Sequence, residues 1–106
     1  VIRVVNINLE PHWKTHKDYI YIGRGSKYGN DATRLTIGKT KARVQVKTRE
    51  ESIEWYRRDL DKKMQSNPAL LLTLVRELDN KILGCYCKPL SCHGDVLADL
   101  IDGGII

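Results

Sequence analysis

Three cysteines, one histidine and one aspartate fall within eleven residues, Cys85-Tyr86-Cys87-Lys88-Pro89-Leu90-Ser91-Cys92-His93-Gly94-Asp95. Two chemistries suit that set. A cysteine beside a histidine at a helix start can ionise, because free N–H groups and a nearby imidazolium stabilise a thiolate. This makes Cys92 the candidate nucleophile, with His93 and Asp95 as its catalytic partners. Cys85, Cys87, Cys92 and His93 also make up a four-ligand zinc set by residue type. Two cysteines separated by one strand residue share a face, so chelation would need Pro89 to fold Cys92 and His93 back over that face. The expectation is therefore no structural zinc and no cofactor.

A second stretch carries polar chemistry of another kind. Gly23-Arg24-Gly25-Ser26-Lys27-Tyr28-Gly29-Asn30 has three glycines, two cations and several hydrogen-bonding side chains. Glycine lets a backbone approach a ligand closely, and Arg24 and Lys27 can neutralise phosphate or carboxylate. The Gly-Lys-Ser/Thr ending of a P-loop is absent. A tight connection whose glycines only permit the turn is the competing explanation.

The elements that must position these stretches follow from pattern. The apolar run 81–87 reads as a buried strand, Pro89 breaks it, and helical spacing resumes over 96–101, so Cys92 and His93 stand where strand gives way to helix. Residues 1–7 are rich in β-branched types and read as a strand buried on both faces apart from Arg3, and 18–22 as a second strand that runs into the glycine loop. Residues 33–38 and 42–47 alternate around Lys39-Thr40-Lys41, which predicts a basic β-hairpin. Its lysines and arginine either suppress edge pairing or contact phosphate through Lys39, Lys41 and Arg43. Thr48-Arg49-Glu50-Glu51 has capping-box spacing and predicts a helix to Ser66, with Ile53, Tyr56, Leu60 and Met64 on its buried stripe. Trp55 falls off that stripe and is a candidate partner contact. Asn67 and Pro68 are expected to cap and open the next helix, which buries Leu71, Leu74, Val75 and Leu78. His12 and His16 stand one helical turn apart, but Pro11 argues against a helix there, so they read as surface residues.

The order strand, strand, hairpin, two helices, strand, helix predicts an α/β fold. It would be a small single domain over 1–106, with a mostly parallel, Rossmann-like sheet flanked by helices and a basic β-hairpin insertion. A parallel crossover then places the glycine loop and the cysteine turn at one end of the sheet. They would share one pocket, with Arg24, Ser26, Lys27, Asn30 and Cys87 as ligand-binding residues.

Composition narrows the function classes. The chain has 106 residues, 42% of them hydrophobic, and a net charge of +5. Residues 1–66 hold 15 Lys or Arg against 8 Asp or Glu, and residues 67–106 hold 3 against 5. A basic N-terminal part favours nucleic acid, a nucleotide or an acidic protein as partner. No apolar run approaches the length of a membrane span, so no membrane partner is expected and the default location is the cytoplasm. An odd count of three cysteines, two in Cys-x-Cys, points to reduced thiols rather than a disulfide framework.

Taken together, 21–30, Thr48-Arg49-Glu50-Glu51, Tyr56 and 83–97 closely resemble the domain of unknown function 4326 family of phage and bacterial proteins. The family pattern is Ile-Gly-Arg-x-Ser-x-aromatic-Gly-Asn, then Cys-aromatic-Cys-x-Pro-x-x-Cys-His-Gly-Asp. Asp31-Ala32 departs from the Pro-Phe usual there, and the hairpin looks like an insertion. The cysteine turn is also similar to an uncharacterised α/β family with Cys-x-Glu and Cys-His-Arg, where glutamate replaces Cys87. The resemblance implies a phage-type accessory protein, in the host cytoplasm if phage-encoded, and no set activity.

Three functions stay open. The first is an enzyme or sensor acting on a nucleotide or nucleic acid, with thiol chemistry at Cys92. The second is a zinc-stabilised nucleic-acid-binding module. The third is a phage inhibitor that grips a host protein through the hairpin and Trp55. Whether the chain is an enzyme is left undecided.

Overall fold

The structure is a computed structural model that describes residues 2–10, 17–23, 26–30, 32–33, 44–88 and 90–104. His12, His16, Arg24, Lys39, Lys41, Arg43 and Pro89 lie outside the described residues.

The cysteine strand is the centre of the sheet. Strand β1 (Arg3–Asn6) and strand β2 (Tyr19–Tyr21) both pair in parallel with β5 (Ile82–Cys85), giving the order β1-β5-β2. Leu83, Gly84 and Cys85 are all buried, as expected of a parallel strand with a neighbour on each side and helices packed nearby. The register pairs Asn6 with Cys85 and Tyr21 with Gly84, so the carboxyl ends of all three strands meet at one end. The outer place of β1 leaves Val4 and Val5 only half-buried, which corrects the expectation that this strand is covered on both faces.

Helix α1 (Arg49–Ser66) starts as its sequence predicts. Thr48 caps it by accepting a hydrogen bond from the Glu51 N–H at 3.1 Å. The reciprocal bond is displaced by one residue, because the Glu51 carboxylate accepts from the Lys47 N–H rather than from Thr48. Tyr56 and Leu60 are buried, and Ile53 and Met64 pack against the core. Asn67 turns out to be the C-cap of α1, its N–H donating to the Lys63 carbonyl at 2.9 Å. The next helix, α2 (Leu70–Leu78), begins after Ala69 with no side-chain cap, which corrects the expected Asn67–Pro68 start. Asn67 donates back to α1 while its carbonyl accepts from Leu70, so it closes one helix and anchors the turn into the next.

Helix α3 (His93–Gly104) lies against α1, α2 and β1. The core between helices and sheet contains Ile22, Leu74, Leu78, Leu83, Leu97 and Ile101. Leu83, Leu97 and Ile101 are fully enclosed, and truncating any one of them to alanine would cost about 2–5 kcal/mol.

The expected hairpin is corrected at its described ends. Strand β3 (Ala32–Thr33) and strand β4 (Val44–Gln45) pair in parallel, Ala32 with Val44 and Thr33 with Gln45. Two arms of a hairpin run antiparallel, so these short strands do not pair as such arms, and residues 34–43 between them lie outside the described residues. The fold is thus a small α/β unit with a parallel sheet packed with helices. No helix among the described residues is long and apolar enough to cross a membrane.

Candidate functional site

The two motif stretches meet at the carboxyl end of the sheet. His93, the first residue of α3 and 8% exposed, brings its Nε2 to 2.6 Å from the Ile22 carbonyl just beyond β2. A carbonyl only accepts, so Nε2 carries the proton in this bond. The His93 ring also meets the Tyr56 ring edge-on, with centroids 4.9 Å apart. Tyr56 donates its hydroxyl to the Tyr28 carbonyl at 2.8 Å, which ties α1 to the glycine loop. Burial pushes the Tyr56 hydroxyl well above the ordinary phenol range, keeping it a neutral donor.

Gly94 makes this close approach feasible. A Cβ there would stand 2.7 Å from Ile22 Cδ1, 2.8 Å from Val4 Cγ1 and 3.3 Å from Cys92 Sγ. Only the missing side chain lets the start of α3 sit on the sheet so tightly.

Asp95 fastens the same helix start. Its carboxylate accepts from the Cys92 N–H at 3.1 Å and pairs with the Lys88 ammonium. That is the N3-to-N-cap half of a capping box, and it adds negative charge where the helix dipole favours it. Burial works against the charge on Lys88, but the Asp95 carboxylate prevails and the Lys88 pKa is raised. Asn6, at the end of β1, donates to the Lys88 carbonyl at 2.8 Å and to the Tyr86 carbonyl at 3.3 Å, which pins the turn after β5.

The three sulfurs gather inside that pinned turn. Cys85 and Cys92 are 1% and 2% exposed, with their sulfurs 3.3 Å apart. Cys87 is half-buried, in hydrogen-bonding reach of both, and has the Arg49 guanidinium beside it. Cys87 is held far below the ordinary thiol range, first by hydrogen bonds from Cys85 and Cys92 and then by Arg49. Cys92 is pushed the opposite way by donating to Cys85 and Cys87 and by burial, and Cys85 is raised mainly by Cys87. All three are free cysteines. The direction of these shifts makes Cys87 the thiol most disposed to ionise, whereas residue type alone nominated Cys92. Arg49 also donates to the Ser91 carbonyl at 3.3 Å, bridging α1 to the turn.

The glycine loop spends much of its polarity on itself. Ser26 donates its hydroxyl to the Gly23 carbonyl at 2.7 Å and accepts from the Tyr28 N–H at 3.3 Å. Lys27 points to α2, where it pairs with Glu77, and Tyr28 donates to the same carboxylate at 2.9 Å. Asn30 is 7% exposed and donates to the Ser52 carbonyl at 3.0 Å and to Ser52 Oγ at 2.9 Å, while its Oδ1 accepts from the Ala32 N–H. The structure thus brings Cys87, Cys92, His93 and Asp95 together and sets the Ile22 carbonyl against His93. It directs Lys27 to α2 and Asn30 to the α1 side. Trp55 is half-buried on α1.

Sequence reasoning missed Asn6, Arg49 and Ser52 as residues that build this end of the molecule. Ser52 had a signal, since it stands four residues before Tyr56 and eight before Leu60 and so continues the buried line of α1. Among the described residues, no group of three or more His, Cys, Asp or Glu side chains is arranged to hold a metal ion.

The family model described as Domain of unknown function (DUF4326) matches residues 5–103. An uncharacterized 12.4 kDa protein in the nrdA-td intergenic region of Enterobacteria phage T4 is 31% identical over 83 residues, which cover 78% of this chain and 67% of that protein. No solved structure matches.

Proposed function

This chain belongs to the DUF4326 family, and from that premise we propose that it is a small phage-type accessory protein that binds the phosphate of a nucleotide or nucleic acid. The ligand would lie between the glycine loop and the Cys-His-Gly-Asp turn. The observation that carries this reading is the 2.6 Å bond from His93 to the Ile22 carbonyl, which joins the exit of β2 to the start of α3. In parallel α/β sheets, ligands sit beyond the carboxyl ends of the strands, where loops of this kind converge. The net charge of +5 favours an anionic partner. Because Lys27 is engaged with Glu77, the cations assigned to the ligand are Arg24 and Arg49. The protein would work in the cytoplasm of the infected host.

The test is equilibrium binding of nucleotides and short oligonucleotides at low and high salt. The parent is measured beside Arg24→Ala and Arg49→Ala, each checked for folding by circular dichroism. The expected result is binding that weakens as salt rises and is lost in both folded variants. Binding abolished only by charge reversal at Lys39, Lys41 and Arg43 would move the contact to that segment. No binding of any of these anions at low salt would overturn the reading.

A second reading draws on a different observation. Leu9, Tyr86 and Leu90 are large apolar side chains left 73%, 57% and 57% exposed. Leu9 follows β1, and Tyr86 and Leu90 follow β5, so all three come after strands that end on the same side of the sheet. Exposed apolar residues of this kind suit a host protein as partner, which would make the chain an inhibitor without chemistry of its own.

A further inference from the structure

We propose that Cys85, Cys87 and Cys92 form a redox-active thiol site for hydroperoxides, in which Cys87 is oxidised first and the oxidation ends as a disulfide between the two buried cysteines. This goes beyond the phosphate-binding reading and does not depend on it. Three geometric facts carry it. The sulfurs of Cys85 and Cys92 are already 3.3 Å apart, so a small movement closes them to the roughly 2.05 Å of a disulfide bond. Cys87 is the half-exposed member of the cluster, while its neighbours are sealed from solvent, so an incoming oxidant meets it first. The turn that carries Cys87 is held in place by Asn6 on one side and by the Leu90 N–H bond to the Cys87 carbonyl on the other.

The chemistry balances without any further reactant. The Cys87 thiolate attacks one peroxide oxygen, so an S–O bond forms and the O–O bond breaks. The sulfur loses two electrons, and the peroxide leaves as an alcohol or water after taking a proton from solvent. The Cys92 thiol then attacks the sulfenic sulfur of Cys87. An S–S bond forms, the S–O bond breaks, and hydroxide departs with the Cys92 proton as water. Cys85 next attacks the Cys92 sulfur, giving its own proton to solvent and expelling Cys87 as a thiolate. Two thiols and one hydroperoxide thus become one disulfide, one alcohol and one water. The exchange favours this direction because a leaving thiolate of low pKa departs readily, and Arg49 beside Cys87 stabilises it.

The experiment uses the full reduced chain and one equivalent of hydrogen peroxide. Samples are quenched with acid, denatured, alkylated and mapped by tandem mass spectrometry. Two thiols per chain should disappear, linked as Cys85 to Cys92, with Cys87 still open to alkylation. Cys87→Ser, with folding checked, should slow that loss by on the order of tenfold or more, because buried protonated thiols react poorly. In a Cys85→Ser, Cys92→Ser double variant, with folding checked, no neighbouring thiol is left to resolve it and the sulfenic acid should persist on Cys87 and be trapped by dimedone. The proposal is overturned if all three thiols survive, if Cys87→Ser oxidises at the parent's rate, if the product stops at Cys87 linked to Cys92, or if the new bond joins two chains. The reaction is run without nucleotide, so a failure of phosphate binding leaves these readouts unchanged.

Discussion

Two buried polar clusters flank the start of the long helix and the start of the last one, and they are built to opposite ends. Around Asn30, every described polar contact is a donor matched to an acceptor: Nδ2 to Ser52, Oδ1 from Ala32, and Ser52 Oγ to the Ala32 carbonyl at 2.8 Å. A network satisfied in this way holds geometry and has nothing left over for a reactant. Around Cys87, three thiols and a guanidinium converge, and the thiol pKa values are driven apart, Cys87 downward and Cys85 and Cys92 upward. Each cluster holds a residue that sequence alone nominated as a ligand, Asn30 in one and Cys87 in the other. The difference lies in the groups themselves: amide and hydroxyl donors around Asn30 are matched to acceptors that do not titrate, whereas the cysteine turn packs three titratable sulfurs against one another.

The sharpest way to break this comparison is the pH profile of alkylation at each cysteine. A thiol of ordinary pKa gains about a thousandfold in thiolate between pH 5 and pH 8. Cys87 has a lowered pKa and is ionised below that window, so its rate should change by less than about twofold across it. Cys85 and Cys92, raised, should stay unreactive throughout while the chain is folded. A thousandfold rise at Cys87 would mean that the cluster is as neutral as the Asn30 network.

The next largest effect belongs to the satisfied cluster. Asn30→Ala leaves the Ser52 and Ala32 groups without their partner and should destabilise the fold by about 3 kcal/mol in a urea titration. The peroxide reaction of the fraction that remains folded should not change. Gly94→Ala should cost about 2 kcal/mol by overpacking, since Ile22 Cδ1 can swing aside but the branched Val4 side chain cannot. A neutral result there would show that α3 sits less tightly on the sheet. Tyr56→Phe removes only the bond to the Tyr28 carbonyl and should cost about 1 kcal/mol, again read from denaturant unfolding.

Local structure was more legible in the sequence than partnership was. The helix starting after Thr48 followed from a cap that forms within four residues, and the strand-to-helix handover at Cys92–His93 followed from a change of period. The meeting of the two motif stretches at one end of the sheet followed from parallel connection alone. The central place of the cysteine strand did not follow, because strand order depends on pairings between distant residues that no local pattern records. The pairing at the described ends of the expected hairpin was misjudged for the same reason: alternation marks a strand but not the direction of its neighbour. Asn30 and Cys92 were both nominated for ligand or catalytic duty by type. Their burial, with Ser52 on one and Cys85 on the other, becomes visible only when helix and sheet are packed together.

The insertion of β5 between β1 and β2 also sets an order of events in time. Arg3 pairs with Ile82 and Tyr19 with the same Ile82, so neither early strand has its sheet neighbour until the chain has been made past α1 and α2. Contacts this far apart in sequence carry a high loop-closure entropy and slow the search for the native state. Ribosome-bound chains that stop short of Cys85 should therefore hold helices but no three-stranded sheet. The thiol cluster, built on the last strand to arrive, comes into being only as folding is completed, so a partly folded chain exposes its cysteines as three ordinary thiols.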